Sequence, residues 1–302
     1  AVIIKDDRII AQGYHQQYGK AHAEVNAIES ATESVEGATM YVTLEPCSHY
    51  GKTPPCAKKI IDSKIKEVII ASKDPNPLVS GKGIEMLEHA GIKVSVGLLD
   101  EENKSLNKIF FKYIQSKKPF VILKTAMTAD GKIASVTRDS KWITNETSRS
   151  NVHSLRHELS AIMVGVKTVI FDDPKLTTYL CDENTKNPIR IILDTDGKIP
   201  LQSYVVQTAK SIQTIVATTS KMNQKTKMSL ESANVEVLVL PFKEGNVHLQ
   251  ALMSILASKG IDSILLEGGS MLNFSALDES IVDEVMIYIA PKIIGGANAL
   301  TP

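Results

Sequence analysis

A chain of 302 residues, 43% hydrophobic and 23% charged, is long enough for two ordinary domains, each with its own core. Its 34 basic and 34 acidic side chains cancel, which argues against a general nucleic-acid binder, and no apolar run reaches the length of a membrane span. Three cysteines make no disulfide framework and no basic, apolar leader opens the chain, so a reducing, cytoplasmic setting is expected.

In chain order, AVII reads as a buried strand, and the polar turn Lys5–Arg8 leads into RIIAQGYH to complete a hairpin. HAEVNAIESA has a helical period and ATMYVTL is strand-like. PPCAKKIIDSKI is a helix with prolines at its entry, where a missing N–H costs little. EVIIAS, GKGIEMLEHA and IKVSVG continue as strand, helix, strand, and DEENKSLNKIFFKYIQS reads as one last helix. The polar stretch Gln115–Pro119 marks a boundary, giving expected domains 1–116 and 117–302. Beyond it, FVILKTAM, IRIILD, QTIVATT, VEVLVL, SILLEGG and EVMIYIAPKII read as strands. TSRSNVHSLRHEL, VHLQALMSILASKG and GSMLNFSAL read as helices. Such alternation is the pattern of layered α/β domains. The chain starts inside a strand and stops just after a double glycine, so truncation at both ends is expected.

The chemistry of the first half gathers at HAE, with His22 and Glu24, and at TLEPCSHYGKTPPC, with Cys47 and Cys56. One imidazole and two thiols leave a fourth position open, the pattern of a catalytic zinc. His49 is the nearby extra candidate, as a ligand or as a substrate contact. Neutral His22, two thiolates and Zn²⁺ sum to zero charge. Thiolate donation blunts the metal's acidity toward water, so such a site gains from a base, and Glu24 is the candidate. In mid-helix, side chains two residues apart turn about 200° from one another. His22 is therefore expected at the helix entry, where Glu24 can reach the same centre. Cys56 follows Pro54 and Pro55 at a helix start, where the backbone favours a thiolate. Cys181, by contrast, reads as a small buried apolar group.

H-x-E followed by P-C-x-x-C marks zinc deaminases of nucleobases. Here HAE and EPC fit, but Cys56 comes after eight intervening residues. With that spacing, the chain resembles the bifunctional riboflavin-biosynthesis deaminase/reductase family over essentially its whole length. The resemblance implies a cytidine-deaminase-like three-layer α/β/α domain followed by a dihydrofolate-reductase-like α/β domain. It implies one zinc per chain, NADPH, a small phosphorylated pyrimidine as substrate and a homo-oligomer. The first reaction would remove an exocyclic amine from diaminohydroxyphosphoribosylaminopyrimidine by hydrolysis, with Glu24 shuttling the proton. The family's substrate positions fall on His15, His49, Lys52, Asp74 and Asn76. Asp74 and Asn76 lie in KDPNP, which by itself reads as a plain turn. The family's leading Pro-Asn-Pro-x-Val-Gly segment, whose asparagine meets the substrate, does not precede Ala1, so weak deamination by this chain is expected.

In the second half no G-x-G-x-x-G follows an early strand. Instead SILLEGGSMLNFSA runs a strand into Glu267, Gly268, Gly269 and Ser270 and then a helix, a turn that suits phosphate or simply a tight cap. After QTIVATTSK, Thr218, Thr219, Ser220 and Lys221 suit a phosphate better than ribose hydroxyls, which points to NADPH. The resemblance implies that Ser140, Arg156, Leu176 and Glu267 face the substrate. Trp142, Thr168, Asp172 and the loop from Gly269 to Ser275 would face NADPH, with Lys124 and Asp130 lining the same cleft. Hydride transfer would convert the ribosyl to a ribityl side chain, with Glu267, Asp130 or water as proton donor. Tyr179 stands where the family has an arginine for the substrate phosphate; Arg190 or a lysine is the candidate to compensate. Two other readings are a zinc deaminase of another nucleotide and a zinc-stabilised homologue that has lost catalysis.

Overall fold

The computed structural model describes residues 1–302 apart from 18, 51–53, 78, 138–142 and 181–184. They form two compact units, Ala1–Gln115 and Ser116–Pro302. Among the described residues no helix is long and apolar enough to cross a membrane.

The first unit opens with a hairpin of β1 (Val2–Lys5) and β2 (Arg8–Gln12). Asp6 and Asp7 both adopt positive φ, 47° and 58°, the backbone twist that lets a two-residue turn join twisted strands. β1 also pairs antiparallel with β3 (Thr39–Leu44), which runs parallel to β4 (Glu67–Ser72), and β4 parallel to β5 (Lys93–Val96). The sheet order is β2-β1-β3-β4-β5. Parallel neighbours need crossovers, and α2 (Cys56–Asp62) and α3 (Lys82–His89) supply them, while α1 (Ala23–Glu29) links β2 to β3. Ile3, Met40, Val42, Val68 and Ile70 pack with Ala27, Ala57, Ile60 and Leu87 into one core. β3 ends just before Glu45-Pro46-Cys47, and β4 just before Asp74. Both chemical segments therefore leave the carboxyl ends of parallel strands, where open α/β sheets collect their ligands.

The helix expected over DEENKSLNKIFFKYIQS is two helices, α4 (Asp100–Leu106) and α5 (Lys108–Ser116). Asn103 donates its side-chain amide to the Thr43 carbonyl (2.8 Å) and the Ser72 hydroxyl (2.7 Å). Asn107, at φ −109° and ψ 24°, donates its own amide back to Asn103. Side-chain hydrogen bonds of this kind compete with the helical ladder.

The second unit carries a seven-stranded parallel sheet ordered β10-β9-β8-β7-β13-β6-β14. Its elements in sequence begin with β6 (Phe120–Thr128), α6 (Glu146–Glu158), β7 (Ala161–Gly165), α7 (Val166–Asp172) and β8 (Ile189–Leu193). There follow α8 (Tyr204–Gln207), β9 (Thr214–Thr218), α9 (Gln224–Ser232) and β10 (Glu236–Val239). A small hairpin, β11 (Phe242–Lys243) and β12 (Asn246–Val247), precedes α10 (Leu249–Ser258), β13 (Ser263–Leu266), α11 (Ser270–Asp278) and β14 (Glu284–Ala290). Successive strand residues enter opposite cores. Met163 and Ile191 join the cluster with Leu252 and Leu256, while Ile162, Val164 and Ile192 join the one with Val205 and Leu230. That two-sided burial is why the strands read as unbroken apolar runs.

β7, α7, α8, α9 and the β11–β12 hairpin have no counterpart among the sequence expectations. AIMVG follows α6 after Leu159 and Ser160 alone, too short a break to stand out in the sequence. α9 is a largely polar helix held at its entry by Asn223, which accepts the Thr226 N–H at 2.8 Å.

Candidate active sites

His22 is the N-cap residue of α1, with extended backbone (φ −76°, ψ 170°), and Glu24 is the second residue of the helix. Cys56 is the first residue of α2, after Pro55. Nδ1 of His22 lies 3.6 Å from Cys47 Sγ and 3.3 Å from Cys56 Sγ, and the three donor atoms fall within 4.8 Å of one another. Tetrahedral zinc with Zn–S of about 2.3 Å and Zn–N of about 2.0–2.1 Å requires N···S separations of about 3.5–3.6 Å. The donor set and its spacing fit that ion.

The two thiols do not behave alike. Cys47 is pulled down to about 5, by the hydrogen bond from the Cys56 thiol first, against the effect of burial, and with help from the Cys56 backbone N–H, which donates to Cys47 Sγ at 3.3 Å. Cys56 is pushed up, by the same shared proton first, then by burial and the Glu24 carboxylate. The two sulfurs thus share one proton between them. A divalent cation removes that proton outright. Burial pushes the Glu24 carboxyl up, and the neighbouring Cys47 adds to it. A carboxyl so raised holds a proton more readily than an exposed one, which suits it to shuttle one.

The other first-unit candidates lie around this cluster. The His15 ring stands edge-on to His22 with centroids 5.3 Å apart, and its Nδ1 is 3.1 Å from the Ala21 carbonyl. Asp74 is pushed up, by burial first and then by Glu45 and Cys47, while His49 pulls it down. Asp74, His49 and Cys47 thus share one electrostatic neighbourhood. Asp74 accepts the Asn76 N–H at 2.8 Å, an Asx turn that shapes KDPNP. Lys52 lies outside the described residues. Glu45 went unread in the sequence: it is buried and accepts backbone N–H groups from Asp74, Gly81, Gly83 and Ile84. Its signal was a charged residue directly after an apolar strand, a position where water is scarce.

In the second unit the centre is Glu267, just past β13. Arg156 on α6 donates to it through both Nε (2.7 Å) and Nη2 (2.9 Å), and Lys124 Nζ on β6 lies 3.6 Å away. Burial pushes the Glu267 carboxyl up, but Arg156 and Lys124 outweigh it and hold the group below its ordinary value. Lys124 also sits over the ring of Tyr288, whose hydroxyl donates to Asn151. Burial and Glu267 push the Tyr288 hydroxyl up. Tyr288 was not singled out in the sequence, where it reads as one of several alternating residues of a strand.

Asp130 is engaged elsewhere. It accepts the Thr128 hydroxyl (2.5 Å) and the N–H groups of Ile294 (3.3 Å) and Gly295 (2.8 Å), and these hold it down at about 2. Leu176 has φ +50° and buries its side chain among Ile162, Val164 and Ile192, leaving a strained backbone rather than a side chain toward any ligand. Thr218 is wholly buried and donates its hydroxyl to the Asp194 carbonyl at 2.7 Å. At that strand end Ser220 and Lys221 are the exposed groups. Thr168 lies on α7, half-buried, and Asp172 ends that helix exposed. Gly269 is the N-cap residue of α11, and Ser270 its exposed first residue. Ser140, Trp142 and Cys181 lie outside the described residues.

Tyr179 is exposed, and its backbone N–H donates to His153 Nδ1 at 3.1 Å. An amide can only donate, so that nitrogen carries a lone pair and the imidazole keeps its proton on Nε2. Burial first and Arg156 second push His153 down, which favours this neutral form. Arg190 cannot stand in for a phosphate-binding arginine. It is fully buried, covered by the Tyr204 ring, and donates to Thr208 at 2.7 Å.

Comparison with known proteins gives the family of each unit. Residues 1–72 match the family model of the cytidine and deoxycytidylate deaminase zinc-binding region, and residues 119–302 that of the RibD C-terminal domain. The riboflavin biosynthesis protein RibD of Actinobacillus pleuropneumoniae is 51% identical over 301 residues, 100% of this chain and 79% of that one. Its counterpart in Aquifex aeolicus is 45% identical, over 98% and 81%. Among solved structures, a diaminohydroxyphosphoribosylaminopyrimidine deaminase/5-amino-6-(5-phosphoribosylamino)uracil reductase from Thermotoga maritima superposes with a TM-score of 0.86 at 41% identity, over 99% and 81% of the chains. Acinetobacter baumannii RibD gives 0.86 at 37% identity, over 99% and 82%. The fold class is accordingly a cytidine-deaminase-like unit followed by a dihydrofolate-reductase-like one, and the chain belongs to the RibD family of bifunctional deaminase/reductases.

Proposed function

We propose that the first unit deaminates diaminohydroxyphosphoribosylaminopyrimidine and that the second reduces the ribosyl side chain of the product with NADPH. The observation that carries the reading is the triangle of His22, Cys47 and Cys56 at zinc-ligand spacing, with the buried Glu24 beside it. Zinc bound there supplies a nucleophile at neutral pH by making a water acidic. Glu24 takes up the proton released and delivers it to the leaving amine. His15, His49, Asp74, Asn76 and Lys52 hold the pyrimidine and its ribosyl phosphate.

In the second unit Lys124, Arg156 and Glu267 present two cations and one carboxylate to a polyhydroxylated, anionic substrate, and the family resemblance adds Ser140 and Leu176 to the residues that meet it. The turn into α11, with Gly269 and Ser270, offers backbone N–H groups to cofactor phosphates. Trp142, Thr168 and Asp172 complete the cofactor side, and Lys221 is the cation at the β9 end. The cofactor carries the hydride; the protein sets its position. Glu267 and Asp130 are both held ionised and have no proton to give, whereas Tyr288 keeps its proton and lies beside Lys124. The partner is a small phosphorylated pyrimidine, and the assembled form a homo-oligomer.

The test supplies the diaminopyrimidine ribosyl phosphate with NADPH and follows ammonia and NADPH separately. Both should change, in that order. Glu24→Ala should abolish ammonia release while zinc stays bound. Ammonia without NADPH consumption would leave the deaminase and remove the reductase.

A further inference from the structure

Burying a carboxylate is costly unless a cation or several N–H donors replace the water it loses. Glu45, only 3% exposed, has the donors. Oε1 accepts from Gly83 (3.0 Å) and Ile84 (3.4 Å), and Oε2 from Gly81 (3.0 Å) and Asp74 (3.3 Å). These donors belong to two segments, the turn that follows β4 and the entry of α3. The Glu45 backbone is tied down as well, its N–H donating to the Ser72 carbonyl at 3.0 Å, one ladder step beyond the β3–β4 pairing. Two residues later comes Cys47.

Packing tightens the same connection. A Cβ on Gly83 would stand 2.0 Å from the Pro46 carbonyl oxygen, so only glycine lets the α3 entry press against the Glu45-Pro46-Cys47 turn. One buried side chain thus links the segment that carries Cys47 to the turn that carries Asp74 and Asn76. A general structural brace would serve as well with hydrophobic contacts. A carboxylate meeting four amides fixes both orientation and distance, which a substrate pocket requires.

We propose that Glu45 is a positioning residue for deamination, setting the Asp74–Asn76 turn against Cys47 so that pyrimidine and metal centre meet in register. The role rests on the substrate function proposed for Asp74 and Asn76.

The variant is Glu45→Gln, in the zinc-loaded full chain. Glutamine keeps one acceptor oxygen and turns an NH₂ group toward amides that can only donate. Amide hydrogen exchange across residues 73–84 should rise about tenfold or more, with residues 23–29 unchanged. The KM for ammonia release should rise about tenfold with kcat within about threefold, the mark of lost ground-state binding. Zinc content should stay at the parent level, and so should NADPH oxidation on preformed deaminated substrate. Glu45→Asp keeps the charge on a shorter arm and should fall between the two in both readouts, which serves if the glutamine variant folds poorly. Unchanged exchange across 73–84, an unchanged KM, or zinc lost in step with activity would each overturn the positioning role. A parent chain that releases no ammonia would instead overturn the deaminase reading and the positioning role with it, leaving the exchange result to judge Glu45 as an anchor.

Discussion

Removing Arg156 tests whether the second unit depends on a buried ion pair. The Arg156 and Glu267 side chains are 17% and 11% exposed and meet through two parallel hydrogen bonds of 2.7 and 2.9 Å. Arg156→Met keeps much of the side-chain volume but leaves the carboxylate buried with Lys124 alone, at 3.6 Å. Stranding one partner of a buried pair costs about 3–5 kcal/mol. Because Lys124 stays, the lower end applies even though the Nη1 bond to the Thr177 carbonyl at 3.0 Å is lost as well. The expected loss is about 3 kcal/mol, or roughly 6–12 °C in Tm for a unit of this length. Urea unfolding followed by far-ultraviolet circular dichroism measures it. The double variant Arg156→Met/Glu267→Leu should recover at least about half of the loss, because the stranded charge is gone. A single-variant cost below about 1 kcal/mol, or a double variant no better than the single, would refute the reasoning.

Cys47→Ala or Cys56→Ala should each reduce zinc from about one per chain to background in metal analysis, since two protein ligands hold the ion poorly. Asp130 has a pKa of about 2 against an ordinary 3.8, so its carboxylate stabilises the fold fully above pH 4 and loses that effect as pH falls toward 2. Asp130→Asn should therefore lower Tm by a constant amount between about pH 5 and 8, with the gap narrowing below about pH 4. His153→Asn, which can place its carbonyl oxygen where Nδ1 was, should keep the reductase KM within about threefold, whereas His153→Leu should raise it about tenfold by releasing the Tyr179 N–H. Ammonia release, which belongs to the first unit, should stay unchanged in both.

Most of the strands were legible because they are fully buried and apolar, a property each short window shows by itself. The zinc ligands were legible because HAE and the two cysteines are chemically unusual, and their spacing identified the family. β7 and α7 were hidden because AIMVGVKTVIFD changes from strand to helix without a polar break. The break at Asn107 was hidden because its cause is remote: Asn103 turns to meet Thr43 and Ser72 on the sheet.

By itself, then, the sequence determined the alternating architecture, the metal-ligating residue types and the family, all of which depend on residue identity and local order. Tertiary structure decided which residues are free to act. It withdrew Thr218 and Arg190 into the interior and turned Asp130 into an ionised cap. It also joined Glu45 to four amides between 29 and 39 residues away along the chain. Burial and long-range hydrogen bonding settle these roles, and both arise only when distant segments are brought together.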